Sequence, residues 1–485
     1  MKTIVPVPVS VSPSDQGYAL TGTTIIQAES PEAVRVAETL AVGLRRATGF
    51  PLVVGPEPGG IRFTLGADPV LGAEGYRLVV DAAGVRITAG TEAGLFHGAQ
   101  TLRQLLPPAA DAGTTQPGPW PVPGGEVLDH PRFGYRGAML DVARHFFPVA
   151  AVCRYIEQLA RYKINHLHLH LTDDQGWRIA IAGWPRLTEH GARTEVDGGP
   201  GGYYTQSDYR SIVAHAAAHH ITVVPEVDTP GHVNAALASY PELTEDGQAP
   251  ELYTGIEVGF STLSVHREVT YRFLDEVLAE LAELTPGPYL HIGGDEAQST
   301  TETDYQTFAD RAVPLVGKHG KTAITWHELA RTNPLADTIL QFWGTSGDAP
   351  ETIAAVKRGN KLIMSPANRT YLDQKYTEDT ELGLKWAAYI EVADAYDWDP
   401  ATYLADVDDS AILGVEAPLW SETITNTDAM DFLAYPRLPT IAEIAWSPKE
   451  THDWADFRAR LATHGPRWER QGIAFHRSPD VPWAD

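Results

Sequence analysis

From Pro131 to the carboxyl terminus, apolar and polar positions fall into a repeating rhythm. Short runs rich in β-branched and other apolar residues alternate with longer segments in which apolar residues recur at intervals of three and four. The runs are YRGAMLDV, INHLHLHLT, ITVVPEVD, YLHIGG, TAITWHE, TILQFW, KLIMSP and AILGVEAPLW. Each reads as a strand, and the segments between them supply several helices. A parallel strand needs a crossover long enough to return the chain to the same end. Eight strands joined in this way predict closure into a (β/α)8 TIM barrel. The clearest helix lies in Ser264–Leu284, where Val269, Phe273, Val277, Leu278 and Leu281 share helical spacing before Pro286 and Gly287 stop it.

The first 130 residues follow a different pattern. GYRLVVDAAGVRITA, Gly75 to Ala89, predicts a hairpin, because polar turn residues interrupt two β-rich runs. Glu32–Gly49 and TEAGLFHGAQTLRQLL predict amphipathic helices, and the Pro/Gly-rich stretch Pro107–Gly125 marks a boundary. The expected organisation is therefore α/β throughout, with a small α/β domain over residues 1–130 and a barrel over 131–485.

Composition narrows the function classes. With 43% hydrophobic and 21% charged residues, the chain has the composition of an ordinary globular protein. A net charge of -26 opposes non-specific capture by nucleic acid or anionic membrane, so neither is expected as a partner. Cys153 stands alone, excluding an internal disulfide, and its neighbours Val152 and Tyr155 place it at a buried helix position. The amino-terminal MKTIVPVPVSVSP lacks the continuous apolar segment of an export leader, and no apolar run is long enough to span a bilayer. The cytoplasm is slightly favoured on that ground, although a secreted chain whose leader had been removed would read the same.

Charged and aromatic residues gather at the strand ends, which share one rim in a barrel. HIGGDEA, His291 to Ala297, is the strongest local signal. Its two glycines permit a close turn before Asp295 and Glu296, and adjacent carboxylates in a pocket cannot both ionise freely, so one is suited to acid catalysis. The bland alternative is a loop cap with two solvated acids. In HLHLHLTDDQGWR, His166, His168 and His170 share one strand face but spread over roughly 13 Å, too far to converge on one zinc. They read as a structural or substrate-positioning network, with Asp173 as the better inward acid of the following pair. PEVDTPGHV supplies Asp228 and His232, a pair able to fix a histidine's charge or simply to brace a loop. There is no GxSxG elbow, and the His215–His220 segment lacks the Glu of HExxH. Trp177, Trp326, Trp343, Trp386, Trp420 and Tyr371 suit the apolar faces of pyranoses, with Arg144 and nearby acids for the hydroxyls, and Tyr371/Asp373 and Trp420/Glu422 follow late strands.

In the same order along the chain, DVARHFF, HLHLHLTDDQGWR, PEVDTPGH, HIGGDE, TWHE and LWSE closely resemble the family 20 glycoside hydrolases, exo-acting β-N-acetylhexosaminidases of bacterial type. The resemblance runs from about Arg132 to the carboxyl terminus, and the preceding region is similar in position and character to that family's small α/β domain. It implies a retaining hydrolase that releases terminal GlcNAc or GalNAc from an oligosaccharide or glycoconjugate, with no cofactor or metal. Glu296 would be the general acid and then base, Asp295 would orient the substrate's 2-acetamido group, and Tyr371 would donate to its carbonyl. Arg144 and Glu422 would bind hydroxyls, Trp343 and Trp420 would flank the sugar, and Trp326 would form the floor. Asp373 would also bind substrate, Trp386 would line the pocket or its entrance, and Asp173, Asp228 and His232 would support the acid pair. Two other classes stay open at this point: a carbohydrate-binding protein without turnover, and a metal-dependent hydrolase using the histidines. The oligomeric state is open as well.

Overall fold

Every residue of Tyr135–Asp141 is buried, as a strand covered on both faces requires. It is the first of eight parallel strands: β1 (Tyr135–Asp141), β2 (His166–His170), β3 (Thr222–Glu226), β4 (Tyr289–His291), β5 (Thr322–Trp326), β6 (Ile339–Phe342), β7 (Lys361–Met364) and β8 (Ile412–Leu419). In the computed structural model, which describes residues 1–483, they close into a barrel in chain order, with β8 pairing back onto β1. All eight lie within the runs read from the sequence. The return segments include helices α1 (Val149–Arg161), α2 (Gln206–Ala218), α3 (Glu268–Leu284), α4 (Glu302–Lys318), α5 (Pro350–Arg358) and α6 (Thr427–Ala434). Helix α2 opens with a reciprocal Thr205/Asp208 cap, a feature that stabilises a helix by about 1 kcal/mol. Cys153 lies on α1 but is half-buried, not buried as expected, because its position falls between the helix's inner and outer faces.

The barrel interior holds two packed clusters. Tyr135, Val224, Ile324, Ile339 and Ile363 form one, and Met139, Trp326, Ala367, Tyr371 and Trp420 form the other. Buried polar side chains link them. Tyr135 donates to Glu416 (2.6 Å), Glu416 meets His168 (2.8 Å), His168 meets Glu226 (3.0 Å), and Glu226 accepts the indole N–H of Trp326 (2.9 Å).

The chain divides into two compact units, one comprising Tyr135–Leu159 and Ile164–Ala434, the other Met1–Gly134, Ala160–Lys163 and the residues from Tyr435 onward. In the second, a seven-stranded mixed sheet carries the hairpin Tyr76–Asp81/Gly84–Ala89, within the expected Gly75–Ala89. The helix Pro31–Thr48 is capped by Ser30 and ended by Gly49 at φ 71°. Lys163, fully buried, bonds Asp129 (2.9 Å) and the Tyr76 hydroxyl (3.1 Å), and Asp129 also accepts from Trp446 (2.9 Å). Among the described residues, no helix is long and apolar enough to cross a membrane.

Candidate active site

The turn that follows β4 is built around a close approach. Asp228, just beyond β3, lies so near Gly293 that a Cβ there would stand 1.6 Å from its Oδ1. Gly293 has φ 70°, and the N–H of Gly294 donates to the same oxygen at 3.2 Å. Only glycine permits both the left-handed backbone and the contact. The turn presents Asp295 and Glu296 to a cavity of about 330 Å³ at the strands' carboxyl-terminal ends. Glu296 (φ 46°) and His232 (φ 56°) are non-glycine residues in left-handed backbone, a conformation that costs about 1–3 kcal/mol and concentrates at functional sites.

The aromatic walls of the cavity form a box. Trp386 meets Trp343 and Tyr371 edge-on, each at 5.8 Å between centroids, and Tyr371 lies 6.2 Å from Trp420. Arg144 and Glu422 line the cavity with them, and Ile256, Val258 and Leu384 complete the lining. The Arg144 guanidinium lies over Trp420 (4.8 Å) and is held by Asp173 (2.9 Å). Its Nε and the buried Glu422 Oε2 have no protein partner, which leaves a donor and an acceptor for a ligand.

A chain of charges runs from Arg144 to the acid pair. Asp173 accepts from Arg144 and lies 2.8 Å from His170 Nε2 and 3.1 Å from His232 Nδ1. His232 Nε2 then faces Glu296 (3.4 Å) and Asp295 (3.7 Å). Burial alone would make Asp173 a weaker acid, but Arg144 and His232 outweigh it and hold the carboxyl well below its usual range. Burial likewise works against a charge on His232, yet Asp173 and Asp295 keep it well above the usual imidazole value. Asp295 is pushed up to about 6 by burial, with Glu296 adding to the shift and cationic His232 opposing it. Asp228, with a carboxylate oxygen within 4.8 Å of one on Asp295, is driven well above its usual value by burial and then by the Asp295 charge. Burial pushes Glu328, which accepts the Trp343 indole N–H at 3.0 Å, up to about 8.

The cavity thus gathers ten of the residues expected from the sequence: Arg144, Asp295, Glu296, Trp343, Tyr371, Trp386, Trp420 and Glu422 in its lining, with Asp173 and His232 directly behind. Asp228 backs them through Asp295. Trp326 and Asp373 do not reach the lining. Trp326 is fully buried against Glu226 with Trp420 5.9 Å away, and Asp373 is buried and accepts from Gln374 at 2.7 Å. Other contributors were missed, Leu384 of the lining among them. Asp141 accepts the backbone N–H groups of Arg144 (3.1 Å) and Ser421 (3.0 Å), and thereby sets both loops that carry Arg144 and Glu422. Its place at the end of β1 was the available signal. Glu226 stands two residues before Asp228 on a strand, so period-two alternation pointed to it. Ile256 and Val258 lie in a segment without regular structure and offered no signal.

Residues 133–449 match the model of the glycosyl hydrolase family 20 catalytic domain, and residues 1–130 match that of glycosyl hydrolase family 20, domain 2. A β-N-acetylhexosaminidase of Cellulomonas fimi is 43% identical over 486 residues, 99% of this chain and 97% of that protein. The structure of Streptomyces plicatus N-acetyl-β-hexosaminidase in complex with Thio-NAglucal superimposes with a TM-score of 0.98 at 56% identity, covering 100% of this chain and 98% of that one. A mutant of that β-hexosaminidase in complex with its product, GlcNAc, matches with the same TM-score, identity and coverage.

Proposed function

The chain belongs to glycosyl hydrolase family 20 and is a glycoside hydrolase of the β-N-acetylhexosaminidase type, and from that premise we propose that it removes terminal β-linked N-acetylhexosamine residues by a retaining, substrate-assisted reaction. The observation that carries this reading is the division between two adjacent acids. Glu296 is the more open, with 31% of its side chain exposed, whereas Asp295 is 9% exposed and faces His232. An acid that must reach a leaving oxygen and later a water belongs at the open position. One that must orient a group of the bound sugar belongs at the enclosed one.

Glu296 protonates the glycosidic oxygen as the acetamido carbonyl oxygen of the substrate attacks the anomeric carbon. The C–O bond to the aglycone breaks, and an oxazolinium ring forms. Asp295 accepts a hydrogen bond from the acetamido N–H and stabilises the positive charge developing there, while Tyr371 donates to the carbonyl oxygen. Glu296, now ionised, takes a proton from the water that opens the ring, which restores the starting configuration. Arg144 and Glu422, each with an unpaired polar atom, bind hydroxyls of the terminal sugar. Trp343, Tyr371, Trp386 and Trp420 enclose its faces and the acetamido methyl, with Trp326 bracing Trp420 from below. Asp373, behind the lining, contributes through the electrostatics of Tyr371. Exo action is supported by a cavity near the lower end of the range for small-molecule sites, about the size for one sugar ring.

The test compares initial rates of aryl release from a β-N-acetylglucosaminide and from the β-glucoside with the same leaving group. Rapid cleavage of the first and almost none of the second is expected. Comparable rates would mean that the protein supplies its own nucleophile and that the role given to Asp295 is wrong.

A further inference from the structure

Away from the pocket, the outer face of the barrel carries a second gathering of ligating side chains. His215 lies in the last turn of α2, and His219 caps that helix four residues later. Residues so spaced are neighbours on a helix surface, and the two rings have centroids 4.5 Å apart. From α1, Glu157 brings a carboxylate oxygen to 3.6 Å from His215 Nε2. One ligand atom from each of the three lies within 4.8 Å of the others.

The spacing is informative. His215 Nε2 makes no hydrogen bond, and 3.6 Å is too long for one. Two donors bound to one tetrahedral ion at about 2.0–2.2 Å stand about 3.4 Å apart, close to what is seen here. The rings are also oriented as ligands. His219 Nδ1 lies 2.9 Å from the backbone carbonyl of His215, which can only accept, so that ring carries its proton on Nδ1 and its lone pair on Nε2. The His215 ring also interacts with the Cys153 backbone. Backbone bonds of this kind fix the tautomer and aim of metal-binding imidazoles. The Glu157 side chain is 52% exposed and leaves an entry path for an ion.

We propose that Glu157, His215 and His219 form a binding site for a divalent transition-metal cation such as Zn²⁺, which clips α1 to α2. Two imidazoles and one carboxylate suit zinc and its neighbours, with water completing the coordination. The late turns of these outer helices belong to the end of the barrel where strands begin, opposite the rim that carries the pocket. The site therefore stabilises the fold and leaves the chemistry untouched. It differs from the strand histidines His166, His168 and His170, and it lacks the HExxH pattern because its acid comes from another helix.

The experiment is calorimetric titration of the chelator-treated full chain with zinc chloride alone, in a non-coordinating neutral buffer, with thermal melts in parallel. One-to-one binding and a zinc-dependent rise in Tm are expected. His219→Ala and Glu157→Gln each weaken binding by at least about tenfold and remove the Tm rise, while turnover of an aryl β-N-acetylglucosaminide without zinc is unchanged in both. Cys153→Ala binds as the parent does. No binding by the parent, undiminished binding by His219→Ala, or loss of binding in Cys153→Ala overturns the assignment.

Discussion

Two clusters of histidines and acids, made from the same residue types within one barrel, differ in how completely their carboxylate oxygens are paired. Around Glu226 both oxygens are taken. Oε1 lies 2.9 Å from Trp326 Nε1 and 2.9 Å from His291 Nδ1, while Oε2 meets His168 at 3.0 Å and also bonds His170. Glu416 is similarly engaged by His168, Gln341 and Tyr135. Around Asp295 the pairing stops short. Asp295 Oδ1, Asp228 Oδ2, Glu422 Oε2 and Arg144 Nε are buried without a protein partner. Leaving buried groups unsatisfied costs stability, so the second cluster exists at the fold's expense. The pairing of the carboxylates, rather than residue type, separates the two clusters.

The sharpest test of that contrast is Glu296→Gln. Loss of the proton donor is expected to lower kcat/KM by a factor of about 10²–10⁴, with Tm close to the parent's, as measured by steady-state kinetics and calorimetry. Glu226→Gln should do the reverse. Removing the charge that His168 and His170 surround is expected to destabilise the fold by about 3–5 kcal/mol, read as a lower midpoint in chemical denaturation. If Glu226→Gln unfolds like the parent, the interior network is not structural and the contrast fails.

A smaller effect separates the two clusters by pH. Asp295 titrates at about 6, and cationic His232 opposes any higher value. The role proposed for Asp295 requires the ionised form, so the rate falls as pH drops through that value. His232→Gln removes the cation, raises the Asp295 pKa further, and is expected to move the acid limb of the kcat/KM profile to higher pH. An unmoved limb would show that another group sets it.

The contrast also explains what was legible in the sequence. The eight strands were readable because each buried strand is a short apolar run, and the rim follows from the barrel. Asp295 and Glu296 were readable as acids directly beyond the fourth run, Arg144 as a cation just beyond the first, and Tyr371 as an aromatic a few residues beyond the seventh. The burial of Trp326 and Asp373 was not, since period and spacing place a residue on an element but do not say how deep its side chain sits. Asp141 acts through backbone N–H groups of residues 144 and 421, which only the folded register brings together. The wall made by Ile256 and Val258 comes from an irregular loop, for which no periodicity exists to be read.

The central claim is that the substrate's own acetamido oxygen is the nucleophile. Its most direct test is a series of aryl glycosides with one leaving group, in which the 2-acetamido methyl is replaced by its mono-, di- and trifluoro derivatives. Fluorine withdraws electrons from the carbonyl oxygen and weakens it as a nucleophile. The account predicts that kcat falls stepwise along the series. A rate independent of fluorination, with the sugar still bound, would contradict it.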